Sequence, residues 1–507
     1  MDLNDARREI DRIDGELTAL FTRRLNVAAE IADYKKAHSL PVYDAARERE
    51  KLRMIEALLP EDLRAYGAPL YGRIFELTRD YERALTDAAL DPIPLRGFSS
   101  LRCGLLGETL THSYSPALHA RLGDYSYQLF EVPPDRLSAF LADGPFDALN
   151  VTIPYKKAVI PYCAALSEDA RRLGSVNTLL RRSDGTLYGD NTDVYGFSYL
   201  LRKGGVSPAG RKALVFGSGG ASAAVCDVLR VQGAREVVVI SRSGPNDYAH
   251  LCRHADAEIL VNATPLGMYP ETGVSPVDLA CFPRCQLVLD LVYNPARTAF
   301  LLQAETFGIP RAGGLSMLAA QAVRSAERFT GATISSDYID AVERFLSRKM
   351  QNIILIGMPG CGKSTVAAAL GQLLGREVFD CDEWVSRAAG MSIPALFAAE
   401  GEAGFRRRET GALRALGKRS GAVIATGGGC VTRPENYDLL HQNGLIVYLR
   451  RDLSQLSREG RPLFDRVSAE TLNKARAPLY RRFADCCVEN DGTIEDAARR
   501  VASLAGL

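Results

Sequence analysis

The sequence has little net charge and no cysteine pattern of a metal site. Its 62 Lys and Arg residues are balanced by 61 Asp and Glu residues, so the net charge is +1. That balance argues against a polybasic nucleic-acid binder and against an acidic tail. The 11 cysteines are scattered and form no C-x-x-C pair. We therefore expect neither a zinc site nor a disulfide framework.

Targeting and membrane segments are also lacking. Residues 1–16 are charged and contain no apolar h-region, so no signal peptide is visible. No apolar run approaches the roughly 20 residues that a membrane-spanning helix needs. We expect a cytoplasmic protein that binds neither membranes nor nucleic acids.

The chain divides into three segments of different texture. Its 507 residues correspond to about three domains at roughly 150 residues each. Residues 1–90 carry apolar side chains at helical spacing and are followed by a proline-containing linker at 91–99. In residues 100–346 and 350–507, short apolar runs alternate with helical stretches and glycine-rich turns. The predicted fold class is multidomain, with an all-α domain followed by two α/β domains.

Individual elements are predicted from periodicity and turn residues. The first helix should stop at residues 39–41, the second should run from near Asp44 to before Pro60, and the third should cover about 61–90. Short runs rich in β-branched residues predict parallel strands. The predicted strands are 213–216, 236–240, 259–261, 286–291 and 352–356.

The strongest single motif is the octapeptide GMPGCGKS at 357–364, which fits G-x-x-x-x-G-K-[ST]. It follows an apolar strand and precedes a helical run, as a phosphate-binding loop requires. Lys363 is expected to reach the β- and γ-phosphates of ATP, and the Ser364 hydroxyl is expected to ligate Mg²⁺. The predicted nucleotide-binding residues are Gly357, Gly360, Cys361, Gly362, Lys363, Ser364 and Thr365.

Further motifs identify the phosphoryl acceptor. "FDCDE", "GFRRRE", the glycine triplet after "AVIAT", "RPLF" and "RAPLY" follow the loop in that order. With them, residues 350–507 resemble shikimate kinases. The resemblance implies that Asp382 is the base, that Asp380 supports Mg²⁺ and that Arg461 lies on a lid over the transferring phosphoryl group. It also assigns four residues to the substrate, namely Arg406 and Arg476 at the carboxylate and Gly428 and Gly429 along the ring.

Chemistry agrees with this reading. Phosphoryl transfer needs positioning and positive charge more than covalent catalysis. A planar carboxylate is gripped better by Arg than by Lys. Any one of these arginines alone could equally be a solvated surface charge.

The middle segment contains a second nucleotide signal. The glycine cluster at 217–222 lies between a predicted strand and a helix, where backbone amides can face a pyrophosphate. The next strand ends at Ser241-Arg242 rather than at an acidic residue, which favours the 2′-phosphate of NADP over NAD. The predicted cofactor residues here are Gly217, Gly219, Gly220, Ala221, Ser241 and Arg242.

Seven motifs surround this cluster, namely "THSYSP", "NVTIPYK", "GSVNT", "GDNTD", "NATPLGM", "DLVYNP" and "GGLSMLAAQA". Together they resemble the shikimate dehydrogenase family over about 245 residues. The resemblance implies a Rossmann-type cofactor part at about 206–314 and a substrate part at about 100–205 plus 315–346.

The resemblance also assigns roles within this segment. Lys156 and Asp193 are the implied catalytic pair, although a surface lysine and a turn cap are the alternatives. The implied substrate ligands are Ser113, Ser115, Thr152, Asn177, Tyr293 and Gln321. The implied further cofactor residues are Asn262, Thr264, Gly314 and Met317.

Residues 1–90 resemble the all-helical type of chorismate mutase through "ARREID", "TRRLN", "DYKK" and "YDAARERE". Arg24 and Lys35 fall nearly on one helical face at about 100° per residue, whereas Arg7 lies off it. A pericyclic rearrangement needs its two carboxylates gripped by cations and a donor near the ether oxygen. The family forms an intertwined homodimer, and the resemblance implies that Arg7 serves the partner's pocket. The implied mutase residues are Arg7, Arg24, Lys35, Asp44, Arg47 and Glu48.

One expected residue of the mutase is missing. The family places a glutamine on the third helix, but residues 81–86 contain none. Glu82 could substitute only when protonated, which would favour low pH. A helical bundle that only dimerises, or one that senses chorismate or prephenate without turnover, remains an alternative.

The combined reading is a trifunctional enzyme of aromatic biosynthesis that acts on 3-dehydroshikimate, shikimate and chorismate. A metabolite-binding scaffold is the competing class. It is disfavoured because the candidate catalytic groups Lys156, Asp193, Lys363 and Asp382 are all present.

Overall fold

A computed structural model of the chain describes residues 2–37, 45–64, 67, 70–75, 77–78, 93–110, 113–242, 244–457 and 467–507. The chain forms two compact units, Met1–Ile93 and Pro94–Leu507. Among the described residues, no helix is both long enough and apolar enough to cross a bilayer.

The first unit is helical, as predicted. A helix of 35 residues spans Leu3–Ala37 and a second spans Ala45–Leu58. The third predicted helix is preceded by a 3-10 turn at Glu61–Leu63, after Pro60, and its backbone is helical at 70–75 and 77–78. Residues 79–90 of that prediction lie outside the described part of the chain.

The second unit begins with a mixed sheet of six strands in the order β2-β1-β3-β5-β6-β4. Strand β5 runs antiparallel to β3 and β6, and the other pairs are parallel. The strands are β1 Arg102–Gly107, β2 Ser126–Glu131, β3 Ala148–Val151, β4 Cys163–Leu166, β5 Thr178–Arg181 and β6 Leu187–Asp190.

The next sheet is parallel throughout, with the order β11-β10-β9-β7-β8. Its central strands are fully buried, because helices cover both faces of such sheets. The predicted strand ends differ from the observed ones by no more than one residue. The strands are β7 Lys212–Phe216, β8 Glu236–Ile240, β9 Ile259–Asn262, β10 Leu287–Asp290 and β11 Arg311–Gly313.

A buried helix, Leu315–Thr330, connects the parallel sheet back to the mixed sheet. It packs closely against the helix Asp193–Lys203 at Gly196, where an added Cβ would lie 2.9 Å from the main-chain oxygen of Met317. This packing fixes the start of the second helix, Asp193, beside the mixed sheet. The helix Asp337–Met350 then leads into the last sheet.

The last sheet is also parallel, with the order β13-β14-β12-β15-β16. Its strands are β12 Asn352–Ile356, β13 Val378–Asp380, β14 Val423–Ala425, β15 Gly444–Arg450 and β16 Cys486–Glu489. The remaining helices of the second unit are Ser115–Leu122, Leu137–Asp143, Tyr155–Ala158, Glu168–Leu173, Gly220–Val231, Ala299–Thr306, Lys363–Leu374, Cys381–Ala389, Ile393–Leu416, Asn436–His441, Ala469–Phe483 and Ile494–Leu504.

Candidate active sites

A cavity of about 280 Å³ lies between the mixed sheet and the first parallel sheet. It gathers side chains from motifs that are as much as 208 positions apart in the sequence, from Ser113 to Gln321. The sequence-predicted residues that line it are Ser113, Ser115, Thr152, Lys156, Asn177, Asp193, Ala221, Tyr293, Gly314, Met317 and Gln321.

Two charged side chains meet in this cavity. The Nζ atom of Lys156 donates to Oδ2 of Asp193 over 2.6 Å, with side-chain exposures of 21% and 9%. Lys156 belongs to the short helix Tyr155–Ala158, which follows β3 closely. Asp193 is the first residue of the helix Asp193–Lys203. A partly buried lysine that faces both a carboxylate and an open cavity can transfer a proton to a bound ligand.

Asn177 fixes the orientation of the Asp193 carboxylate. Its Nδ2 donates to Oδ1 of Asp193 over 2.9 Å, so Lys156 and Asn177 take different oxygens of the same carboxylate. Its own Oδ1 accepts from the Thr192 amide over 2.8 Å. The Asn191 side chain accepts from the Asp193 amide over 3.0 Å. Thr192 and Asn191 belong to the quoted "GDNTD" motif, but the sequence analysis assigned them no role.

The glycine cluster at 217–222 leaves room for a dinucleotide. Gly217 has a φ of 107°, and a Cβ there would lie 2.8 Å from Thr264 Cγ2. Above Gly219 there is open space, and the helix Gly220–Val231 begins directly after it. A backbone cradle at a helix start suits a pyrophosphate. Arg242, at the end of β8, is exposed to solvent.

A buried carboxyl group supports the cofactor side. Asp290, at the end of β10, accepts from Nδ2 of Asn262 over 2.9 Å and from the Thr298 hydroxyl over 2.6 Å. Burial raises the pKa of Asp290 to about 7. Asn262 in turn accepts from the Thr264 hydroxyl over 2.6 Å. Asp290 was not predicted as a functional residue, and its place at the end of an apolar strand was the available signal.

The phosphate-binding loop has the expected geometry. Gly360 and Gly362 have φ values of 80° and 96°, in the left-handed region that favours glycine. Lys363 donates to the main-chain oxygens of Gly357 and Met358, each over 3.0 Å. These bonds hold its ammonium group inside the loop.

Ser364 and Asp380 meet at the mouth of the loop. The Ser364 hydroxyl donates to Oδ2 of Asp380 over 2.5 Å. A hydroxyl and a carboxylate are hard oxygen ligands of the kind that Mg²⁺ takes beside nucleotide phosphates. The two predicted metal ligands therefore lie together and fit the ion.

Two buried arginines mark the acceptor side. Arg406 pairs with Glu409 over 2.7 Å, and this carboxylate has no exposed side-chain surface. Arg476 donates to the Gly428 oxygen over 3.0 Å. A Cβ on Gly429 would overlap the Arg406 guanidinium, so glycine is required for the arginine to lie there. Nε of Arg406 is buried without a partner among the described residues, which leaves a donor available to a ligand.

Asp382 lies beside this pair. A Cβ on Gly427 would come 2.8 Å from Oδ1 of Asp382 and would also meet Glu409. The Asp382 amide donates to Oδ1 of Asp380 over 2.9 Å. The predicted base, the predicted metal ligand and the carboxylate-binding arginine are thus close neighbours, and Glu409 joins them without a predicted role.

A smaller cavity of about 220 Å³ flanks the phosphate-binding loop. It is lined by Met358, by residues 448–453 and by Arg481. Asn490 contacts the loop, since its Nδ2 donates to the Cys361 oxygen over 2.8 Å. The sequence analysis assigned no role to the residues that line this cavity or to Asn490.

The mutase predictions are described only in part. Arg7 is exposed. Arg24 donates to the Thr78 hydroxyl and lies 5.5 Å from the Phe75 ring centre. Arg7 and Arg24 are 17 residues apart on one helix, or about 25 Å, so within one chain they do not grip the same small molecule. The structure does not describe the side chains of Lys35, Arg47 and Glu48. Asp44 and Arg461 also lie outside the described residues, in the ranges 38–44 and 458–466.

The chain matches three family models. They are chorismate mutase type II over residues 6–83, the shikimate dehydrogenase substrate binding domain over residues 105–179, and shikimate kinase over residues 359–505.

Individual proteins match the middle of the chain. The shikimate dehydrogenase (NADP(+)) of Oleidesulfovibrio alaskensis is 41% identical over 251 residues, 45% of this chain and 87% of the relative. That of Clostridium beijerinckii is 34% identical over 243 residues, 44% of this chain and 90% of the relative. A solved chorismate mutase/shikimate 5-dehydrogenase fusion protein from Clostridium acetobutylicum is 35% identical and covers 49% of this chain and 97% of its own, with a TM-score of 0.46.

Proposed function

Because the chain belongs to the shikimate dehydrogenase family and carries chorismate mutase and shikimate kinase domains beside it, we propose three reactions for it. It reduces 3-dehydroshikimate to shikimate with NADPH, phosphorylates the 3-hydroxyl of shikimate with ATP, and rearranges chorismate to prephenate. The chain is a multifunctional enzyme of the aromatic pathway. The observation that carries the first reaction is the 2.6 Å contact between Lys156 and Asp193 inside a cavity of predicted substrate ligands.

In the dehydrogenase reaction the protein supplies a proton and a rigid frame. When bound, NADPH supplies the hydride that reduces the carbonyl carbon. Lys156 donates a proton to the carbonyl oxygen, and Asp193 stabilises the ammonium form until transfer. Ser113, Ser115 and Thr152 line the same cavity and offer hydroxyls to the substrate.

Three features support NADP as the cofactor. The cradle at Gly217 and Gly219 is open at the start of a helix, which suits the pyrophosphate. Arg242 is solvent-exposed where β8 ends, a place from which a guanidinium can bind a 2′-phosphate. The relatives named above are NADP-dependent by name.

In the kinase reaction the residues chiefly position the two substrates and neutralise the negative charge of the phosphates. Lys363 holds the β- and γ-phosphates, and Ser364 with Asp380 would hold Mg²⁺, which neutralises developing charge when bound. Asp382 accepts the proton of the attacking hydroxyl. Arg406 and Arg476 grip the carboxylate of shikimate. Arg461 belongs to the same proposal through the family resemblance.

The mutase requires a homodimer, and the first helix offers the surface. The apolar residues Ile10, Ile13, Leu17, Leu20, Val27 and Ile31 are all exposed in the single chain. Their spacing of three, four or seven residues is that of a coiled-coil seam, which a second copy of the helix covers. Arg24 falls on the same seam, so a dimer would bring cations from two chains together. The mutase family match disfavours a domain that only dimerises or senses a ligand.

We further propose that the enzyme acts in the cytoplasm. All its cysteines are free thiols, and thiols persist in reducing compartments.

Reciprocal loss of activity tests the assignment in the full chain. Lys156→Ala should abolish NADPH-dependent reduction of 3-dehydroshikimate and leave phosphorylation of shikimate intact. Lys363→Ala should do the reverse. Unchanged reduction in the first variant, or unchanged phosphorylation in the second, would refute the corresponding role. Conversion of chorismate to prephenate by either variant should continue at the wild-type rate, and its absence from all three proteins would reject the mutase assignment.

A further inference from the structure

One cavity of the second unit lies where the dehydrogenase and kinase parts meet. This interdomain cavity has a volume of about 760 Å³, within the range of roughly 300–1,000 Å³ that is common for small-molecule sites. The dehydrogenase contributes Ser113, Tyr114, Tyr269 and Asn294. The kinase part contributes residues 374–377 and 418–422, and Lys349 and Leu507 complete the wall.

Specific hydrogen bonds join the two parts around it. Lys418 donates to the Pro270 oxygen over 2.6 Å. The Arg297 guanidinium donates to the His441 oxygen over 2.7 Å, and the Arg297 amide donates to the Gln442 oxygen over 2.9 Å. The cavity therefore has walls that are bonded to each other across the boundary between the two parts.

The wall is strongly basic. Among the described residues, it carries Lys349, Arg376, Lys418 and Arg419 but only one acidic side chain, Glu377. None of the four cations is in an ion pair within the part of the chain that the structure describes.

The contacts of these cations leave their charge uncompensated. Within the described residues, Arg376 donates only to main-chain oxygens, those of Gln351 over 2.7 Å and of Arg348 over 2.6 Å, and burial lowers its pKa. Arg419 lies over the Phe379 ring at 4.9 Å. A concave surface with unpaired charges of one sign concentrates ions of the opposite sign.

The cavity is remote from phosphoryl transfer. Lys349 precedes β12, residues 374–377 precede β13 and residues 418–422 precede β14, whereas the phosphate-binding loop follows β12. The cavity residues thus lie at the amino ends of the strands and the phosphate-binding loop lies at the carboxyl ends. The five residues of β12 separate them, a distance of about 16 Å. The interdomain cavity is therefore neither a subsite of the kinase reaction nor a passage to it.

The cavity is instead adjacent to the dehydrogenase site. Ser113 lines both the interdomain cavity and the dehydrogenase cavity. Tyr114, in the first wall, lies against Tyr293, in the second, with ring centres 6.2 Å apart. A molecule held in the interdomain cavity would contact Ser113 and Tyr114 and would thereby act on the wall of the dehydrogenase cavity.

We propose that the interdomain cavity binds a small anion that carries both a phosphate and a carboxylate, and that such an anion restrains the dehydrogenase. Four unpaired cations suit a molecule of several negative charges better than a simple monocarboxylate. Under the proposed function, on which this inference rests, the kinase part makes such a molecule, shikimate 3-phosphate. The product of the second reaction would thus slow the first.

Calorimetric titration of the full chain with shikimate 3-phosphate tests the site without relying on activity. The unmodified chain should bind two molecules, one in the kinase site and one in the interdomain cavity. Lys349→Gln combined with Arg419→Gln should weaken the second site at least about tenfold. A matched control, Arg136→Gln with Arg284→Gln, removes two exposed charges that do not line the cavity and should retain both sites. A single site in every protein, or two unchanged sites in the cavity variant, would overturn the proposal.

Dehydrogenase kinetics then test the restraint. Shikimate 3-phosphate should raise the KM for 3-dehydroshikimate in the unmodified chain and in the control. In the cavity variant, the same rise in KM should need at least about ten times more shikimate 3-phosphate. Inorganic phosphate should have the same effect only at higher concentration. Equal inhibition of the cavity variant would mean that the anion acts in the dehydrogenase site itself and would overturn the restraint. A chain that reduces no 3-dehydroshikimate at all fails the proposed function, whereas the titration still decides the site.

Discussion

Lys156 and Asn177 bind different oxygens of one carboxylate, that of Asp193, over 2.6 and 2.9 Å. The carboxylate is therefore held at both ends, and the ammonium group of Lys156 is held toward the cavity. This arrangement assigns Asp193 the task of stabilising a charged lysine, and the first prediction tests that task.

Asp193→Asn should keep the shape of the site but remove its negative charge. Proton transfer of this kind contributes about 10²- to 10⁴-fold to rate, so we expect kcat of the dehydrogenase to fall at least about 100-fold with a smaller change in KM. NADPH oxidation measures both constants. Asp184→Asn, at an exposed turn outside the cavity, should retain normal kinetics. A variant at position 193 with normal kcat would remove Asp193 from the mechanism.

Arg406 and Glu409 form a buried pair, and its disruption should have both a structural and a functional cost. Removal of one partner from such a pair typically destabilises a protein by about 3–5 kcal/mol. Arg406→Ala should therefore lower the urea midpoint of the kinase transition. It should also raise the KM for shikimate, because one of the two arginines proposed to bind the shikimate carboxylate is lost.

The neighbouring Arg407 provides the control, because its side chain is exposed on the same helix and forms no ion pair with the residues that the structure describes. Arg407→Ala should change neither the midpoint nor the KM. If Arg406→Ala lowered the midpoint but left the KM for shikimate unaltered, Arg406 would be a structural residue only.

Asp290 should make stability depend on pH. Its folded-state pKa of about 7 lies above the ordinary value of 3.8, because burial disfavours the charged form. A raised carboxyl pKa means that the folded chain holds a proton that the unfolded chain has released. Stability from this group is thus complete below about pH 4, declines up to about pH 7 and is constant above it. The total decline is up to roughly 4 kcal/mol.

Asp290→Asn should remove this decline, since an amide does not titrate and can still accept from Asn262. Urea unfolding of the dehydrogenase transition at about pH 5 and about pH 7 measures the difference from the unmodified chain. Asp135→Asn, at an exposed position, should preserve the decline. An equal decline in the Asp290 variant and the unmodified chain would show that another group is responsible.

The sequence indicated which candidate side chains lie together locally, because motifs place several of them within a few residues of one another. Ser364 and Asp380 were predicted as metal ligands, and they lie 2.5 Å apart. The ends of the five strands predicted in the parallel sheets agree with the structure within a residue, since buried β-branched runs end at recognisable turns.

Contacts between residues that are distant in the sequence could not be predicted from motifs and periodicity. The interdomain cavity joins Ser113, Asn294, Arg376 and Lys418, and no periodicity connects residues so far apart. Asp290 acquires its raised pKa from complete burial, and the degree of burial depends on packing by the whole sheet. The helix Leu3–Ala37 showed the opposite difficulty, because its apolar spacing fits a core equally well, yet the single chain leaves those residues exposed.

That exposed seam gives the last prediction. Leu17 and Leu20 are 57% and 62% exposed, and burial of such side chains in a dimer is worth about 1.5–3 kcal/mol each. Leu17→Asp combined with Leu20→Asp should yield a monomer in sedimentation velocity and should abolish chorismate turnover, because the proposed mutase pocket takes residues from both chains.

The same charges placed off the seam separate dimer loss from a general effect on the helix. Thr22→Asp with Asn26→Asp adds two carboxylates at exposed positions of that helix and should leave a dimer with mutase activity. Reduction of 3-dehydroshikimate should continue in both variants, since the dehydrogenase cavity is lined by residues of the second unit. If the seam variant remained a dimer, some other surface would join the chains. If it became a monomer that still converted chorismate, a single chain would build the whole pocket, and Arg7 and Arg24 could not both belong to it.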